Sequence, residues 1–151
     1  MLADQIANHV NYFNNGAFVG SLFDWADMGW PSPNPPPNES FEIASHLRYV
    51  TFKLYRLDEG SVMREKWDDV VIEEVTFGAK AALPFQLSAL VETPDSAMAK
   101  LSTDTYAADT RVSYFMPDGL VACLYFKPAM AGLQQVILAR LGVVEDWQRS
   151  G

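Results

Sequence analysis

The stretch Thr110–Phe126, TRVSYFMPDGLVACLYF, decides the reading of this 151-residue chain. Two apolar runs flank Pro117-Asp118-Gly119. Those three residues supply what a tight reversal needs: a fixed φ, a side chain that bonds nearby backbone, and a glycine free to take positive φ. The pattern predicts an antiparallel hairpin. After a short KPAMAG loop, Leu133–Leu141 fits two periods. Met130, Leu133, Ile137 and Leu141 suit a helix, whereas Leu133, Gln135, Ile137, Ala139 and Leu141 suit a strand. Its β-rich composition and its place after a hairpin favour a third antiparallel strand.

Working upstream, Thr93-Pro94-Asp95 starts a helix near 94–102 in the expected order of hydroxyl cap, proline and acid, with Ala97, Met98 and Leu101 as its apolar side. Gly78–Leu90 reads as irregular, marked by Leu83-Pro84-Phe85. Val70–Phe77 reads as a strand with Val70 and Ile72 on one face and Val71, Glu73 and Val75 on the other. Asp58-Glu59-Gly60 closes a turn. From Phe41 the period is two; His46 opens a strand, and in RYVTFKLYRL Val50, Phe52 and Leu54 alternate with Tyr49, Thr51, Lys53 and Tyr55.

At the N-terminus, Leu2, Ile6, Val10 and Phe13 share one helical face, and Asn14-Asn15-Gly16 is a fitting stop. A shorter helix over Ser21–Met28 follows, with Leu22, Trp25 and Met28 on one side. Residues 31–37 then hold five of the chain's nine prolines. Such a stretch runs as polyproline II or as successive turns, with Asn34 and Asn38 at turn positions and Trp30 folded back on it. It reads as a stiff connector from helix to sheet, with recognition by a proline-binding groove as the other reading.

The whole is one α+β domain over 1–151. Its parts are a helical segment at 1–30, a proline-rich connector at 31–40, and strands over 41–151 with one helix near 94–102. The sheet is antiparallel with about five to seven strands, against an N-terminal helix and a second short helix.

Charge narrows the function. The formal net charge is -8. Residues 58–74 concentrate seven acids, Asp58, Glu59, Glu65, Asp68, Asp69, Glu73 and Glu74, against Arg64 and Lys66. Such a chain repels phosphate backbones and attracts basic proteins, so direct nucleic-acid binding is not expected. The longest apolar runs are too short to span a membrane, the N-terminus lacks the features of a secretory signal, and a lone Cys123 makes no internal disulfide. The expected compartment is cytoplasmic.

No catalytic, cofactor or metal motif emerges. Cys123 sits mid-strand where a small apolar residue belongs, so it reads as core rather than nucleophile. Two histidines, His9 and His46, are too few for a zinc site. Adjacent strand residues point to opposite faces, so the acid doublets Asp58-Glu59, Asp68-Asp69 and Glu73-Glu74 are poor acid–base pairs and look like a solvated edge. Trp67, amid charges in EKWDD, is either a core-closing side chain or an interface anchor of the kind that dominates binding energy.

The C-terminal part, LPFQLSALVETPDSAMAKL…TRVSYFMPDGLVACLYF…GLQQVILARLG, resembles the immunity proteins of bacterial polymorphic-toxin and contact-dependent-inhibition systems. The shared features are Leu83-Pro84-Phe85, the Thr-Pro-led helix, Arg111 and Tyr114 in one strand, the Asp118-Gly119 hairpin and the closing Gly132-Leu133 strand. Gln86 departs from the pattern, which has glycine there. The resemblance implies a non-enzymatic cytoplasmic antidote that occludes the active site of a cognate toxin, often a basic nuclease. The expected partner surface is Asp58, Glu59, Glu65, Trp67, Asp68, Asp69, Glu73 and Glu74, with no cofactor. The other readings are a small-molecule site lined by Tyr49, Tyr55, Tyr114 and Tyr125, or an adaptor subunit; an exposed edge strand leaves a homodimer open.

Overall fold

The computed structural model describes residues 2–10, 16–56, 70–101 and 104–140. Seven strands form one antiparallel sheet: β1 (Glu39–Ser45), β2 (Val50–Arg56), β3 (Val70–Gly78), β4 (Asp104–Ala108), β5 (Arg111–Phe115), β6 (Leu120–Phe126) and β7 (Leu133–Arg140). Their spatial order is β1-β2-β3-β7-β6-β5-β4. Two meanders are thus joined where β7, the last of the described strands, pairs with both β6 and β3. The helices are α1 (Ala3–Ala7), α2 (Gly16–Ala26) and α3 (Pro94–Leu101), with a single 3-10 turn at Pro84–Gln86. The α+β antiparallel expectation stands.

The β5–β6 hairpin forms as its turn residues dictate. Gly119 takes φ +87°, its N–H reaches the Met116 carbonyl at 3.0 Å, and Met116 N–H reaches Leu120 O at 2.9 Å. Leu133–Arg140 is strand, the choice that its neighbours favour, because only a strand completes the hydrogen bonds of both β3 and β6. At α3, Thr93 Oγ1 accepts the Ser96 N–H at 3.2 Å, the hydroxyl cap that the Thr-Pro-Asp order requires. Strand β4 was not expected from the sequence.

One face of the sheet packs the core. Phe52, Leu54, Ile72, Val75, Phe77, Leu124, Leu133 and Leu138 are fully enclosed, together with Ile6, Leu22 and Phe23 from the helical segment. Alpha-helix α2 presents Val19, Leu22, Phe23 and Ala26 inward, the three-four spacing of a helical stripe.

The N-terminal boundaries differ from expectation. Helix α1 stops at Ala7, and Val10 makes a parallel bridge with Ile72 at the sheet. Gly16, read as a stop, is the first residue of α2, which begins earlier than Ser21 and ends before Met28. Here the sheet overrides helical periodicity: a buried Val10 satisfies either pattern, and strand contact wins. His46 lies in the turn between β1 and β2 rather than opening a strand. Among the described residues no helix is long and apolar enough to cross a membrane.

The proline stretch has neither helix nor strand and runs from the end of α2 to β1. Trp30 folds back, its Nε1 donating to Asn34 Oδ1 at 2.7 Å while its ring meets Phe41 edge-on at 5.8 Å. Asn38 takes φ +60°, and its N–H donates to Arg56 O at 2.6 Å. The Arg56 guanidinium donates to the Pro35 carbonyl. The contacts with Phe41 and Arg56 tie the insert to β1 and β2.

Candidate protein-binding surface

The sheet's second face carries the charge. Residues directly opposite in neighbouring strands share a face, and the register aligns Glu42 of β1, Lys53 of β2 and Glu74 of β3 in one row. In β3 the alternation slips: Lys53 pairs with Glu74 but the next residue, Leu54, pairs with Ile72. Glu73 is therefore the extra residue of a β-bulge. The bulge resets the period, so that Ile72 and Val75 both reach the core while Glu73 and Glu74 both stay half-buried on the far side.

This corrects two sequence expectations. Val75 points inward, not outward with Val71 and Glu73. The Glu73-Glu74 doublet is not split between faces: its carboxylates lie near each other. Burial pushes the Glu74 carboxyl up; Lys53 opposes that, and the neighbouring charges of Glu42 and Glu73 add to it. Ser40 Oγ donates to Glu73 Oε1 at 2.5 Å. Three carboxylates and one ammonium thus share this part of the sheet's second face, a group with net negative charge beside the buried Ala139 and Val121.

Of the eight residues expected at the partner surface, Glu73 and Glu74 stand together in this patch. Asp58, Glu59, Glu65, Trp67, Asp68 and Asp69 lie outside the described residues, as does the Asp58-Glu59-Gly60 turn. Glu42 and Ser40 were missed, because only strand register, not sequence distance, brings them to Glu73 and Glu74.

The residues named for the alternative chemistries stand apart from one another. Tyr114 is buried in the core and donates to the Pro94 carbonyl at 3.1 Å; burial first, then the charges of Glu92 and Asp95, push its phenol up to about 12. Tyr125 lies on the opposite face, Tyr55 at the other end of the sheet beside Ser40 and Val71, and Tyr49 in an exposed turn near Lys80. The four tyrosines do not converge. Cys123 is buried with Ser113 Oγ 3.7 Å from its sulfur, and burial pushes the thiol up, away from the thiolate that nucleophilic catalysis needs. His9 stacks on Phe18 at 3.6 Å, and His46 is exposed. Among the described residues no cluster of His, Cys, Asp or Glu could hold a metal.

Two buried charged groups escaped the sequence reading. Glu92 is 1 % exposed, and its carboxylate accepts from Lys100 Nζ at 2.7 Å, the Ser88 N–H at 2.8 Å and the Ser96 hydroxyl. Burial alone would raise its pKa; the bonds from Lys100, Ser96 and Ser88 outweigh this and hold it below the usual carboxylate value. Arg140, at the end of β7, donates from Nε to Val10 O at 2.9 Å and from a terminal nitrogen to Asp118 O at 3.0 Å. Both groups pin loops to the scaffold. The only sequence signal for Glu92 is an acid just before the Thr93 cap, with a lysine eight residues on.

Comparison with protein-family models, with curated proteins and with solved structures finds no match.

Proposed function

We propose that this protein is a cytoplasmic, non-enzymatic immunity protein that binds a cationic toxin and occludes its active site. The observation that carries the reading is the bulge in β3, which puts Glu73 and Glu74 together on the side of the sheet away from the main core, in the row of Glu42. A bulge that points two carboxylates the same way concentrates negative potential where a basic active-site cleft can be met. The net charge of -8 steers such a partner in. Carboxylates can stand where a nuclease would hold phosphates, and Asp58, Glu59, Glu65, Trp67, Asp68 and Asp69 extend the same acidic segment along the chain.

The test is growth rescue and direct binding against the protein encoded beside this one. Expression of that neighbour is expected to arrest growth, and co-expression of this protein to restore it. The Glu73→Lys/Glu74→Lys double variant should weaken the complex about tenfold or more in calorimetry, since like charges then face each other. A Glu73→Gln/Glu74→Gln version should fall between. Failure of rescue by the unaltered protein, or unchanged affinity in the Lys variant, overturns the reading.

A further inference from the structure

Among the described residues the sheet ends in two edge strands, β1 and β4, that differ in their protection. Strand β1 carries Glu39 and Glu42 and is entered from the proline stretch, both devices that discourage strand pairing. Strand β4 has no charge and no proline between Thr105 and Ala108, and Thr105, Tyr106 and Ala107 are all exposed, Tyr106 by 55 %.

The ladder shows which main-chain groups that edge offers. Phe126 N–H donates to Thr110 O at 2.9 Å and Met116 N–H to Leu120 O at 2.9 Å, so even-numbered residues of β5 turn their polar groups toward β6. The odd ones, Arg111, Ser113 and Phe115, turn theirs toward β4, where they meet Ala108, Tyr106 and Asp104. By alternation, the N–H and C=O of Thr105 and Ala107 point away from the sheet. A strand laid antiparallel there would find donors and acceptors at the spacing of a ladder.

Charge selects the occupant. The edge strand runs between Asp104 and Asp109 on a body of net charge -8. A second copy paired about Tyr106 would bring one copy's Asp104 near the other's Asp109 and oppose two bodies of like charge. An extended segment that combines lysine or arginine with uncharged β-formers instead meets a body of opposite net sign.

We propose that the free edge of β4 is a strand-addition site for an extended, cationic segment of the partner protein, bound through the main chain of Thr105 and Ala107. This rests on the reading of a cationic protein partner given above, but places a second contact on the opposite edge of the sheet from Glu42.

The probe is an acetylated, amidated Lys-Val-Thr-Val-Thr-Lys peptide added to the full-length, nitrogen-15-labelled protein. Exchange of the Thr105 and Ala107 amides is expected to slow about tenfold at saturating peptide, with the effect diminishing as salt rises. Ala107→Pro should abolish it while β5 and β6 amides keep their protection, because that N–H serves no bond within the sheet and proline is tolerated at such an edge position. Tyr106→Lys should weaken it by repulsion. No slowing, or equal slowing with glutamates in place of the peptide's lysines, overturns the inference. So does slowing without peptide that grows with protein concentration and with salt, which would assign the edge to a second copy. A toxin complex indifferent to Ala107→Pro but sensitive to the Glu73 and Glu74 charge reversals sinks this proposal and leaves the immunity reading standing; the reverse pattern separates them the other way.

Discussion

Phe85 and Gln86 both take left-handed backbone conformations, φ +58° and +60°, which cost a side chain roughly 1 kcal/mol each. The pair persists because its polar groups are held from outside: Asp4 Oδ1 accepts the Phe85 N–H at 2.7 Å, and Lys100 Nζ donates to the Gln86 carbonyl at 2.8 Å. The Gln86 side chain is exposed. Gln86→Gly should therefore raise stability by about 0.5 kcal/mol, read as a higher denaturant midpoint, the relief of strain exceeding glycine's entropy cost. Glu92 is the other informative residue. A carboxyl whose folded pKa is depressed contributes stability that is present above its unfolded value and lost as pH falls through the folded one. Glu92→Gln should thus flatten the acid limb of the stability curve below about pH 4.5 and lower stability at neutral pH by about 2 kcal/mol, measured by urea unfolding across pH.

At the level of elements, the β6–β7 connection depends on one glycine. Gly132 has φ +88°, and a Cβ there would sit 2.8 Å from Ala89 O and 2.9 Å from Leu90 O. Its N–H donates to Glu92 O at 2.7 Å, and Leu133 N–H to Ala89 O at 2.9 Å, so loop and strand cannot separate without losing both bonds. Gly132→Ala should destabilise by about 2 to 4 kcal/mol in chemical denaturation, while alanine at Gly29, where a Cβ meets nothing, should change little. Elements with redundant local signals were legible in the sequence: the β5–β6 hairpin through its turn residues, α3 through its cap, β2 through strict alternation. The β3 bulge was not. A bulge is defined by which partner residue is skipped, and Val70–Phe77 alone cannot say that Glu73 faces no partner in β2. Strand β4 was hidden for a similar reason, since DTYAA has too few residues to establish a period.

Over the whole molecule, composition and patterning sufficed for an α+β antiparallel protein, but not for the order of its strands. Nothing in Val70–Phe77 or Leu133–Arg140 says that these two pair, because the pairing is long-range and both runs are simply apolar enough for a sheet centre. The candidate surface was half legible for the same reason: the acidic segment announces Glu73 and Glu74, while Glu42 and Ser40 join them only through the register of β1 and β2. The helical boundary near Val10 failed because a residue serving helix and sheet equally well is assigned by its neighbours in space.

The position of β7 has a further consequence for how the chain is made. Both meanders can form hairpins locally, yet each keeps an open inner strand, β3 or β6, until residues 133–140 slot between them. During synthesis those two apolar strands wait, unsealed, until residues 133–140 leave the ribosome. The decisive closure comes late, across a large sequence separation, which slows folding and lengthens the interval in which the nascent protein can mispair.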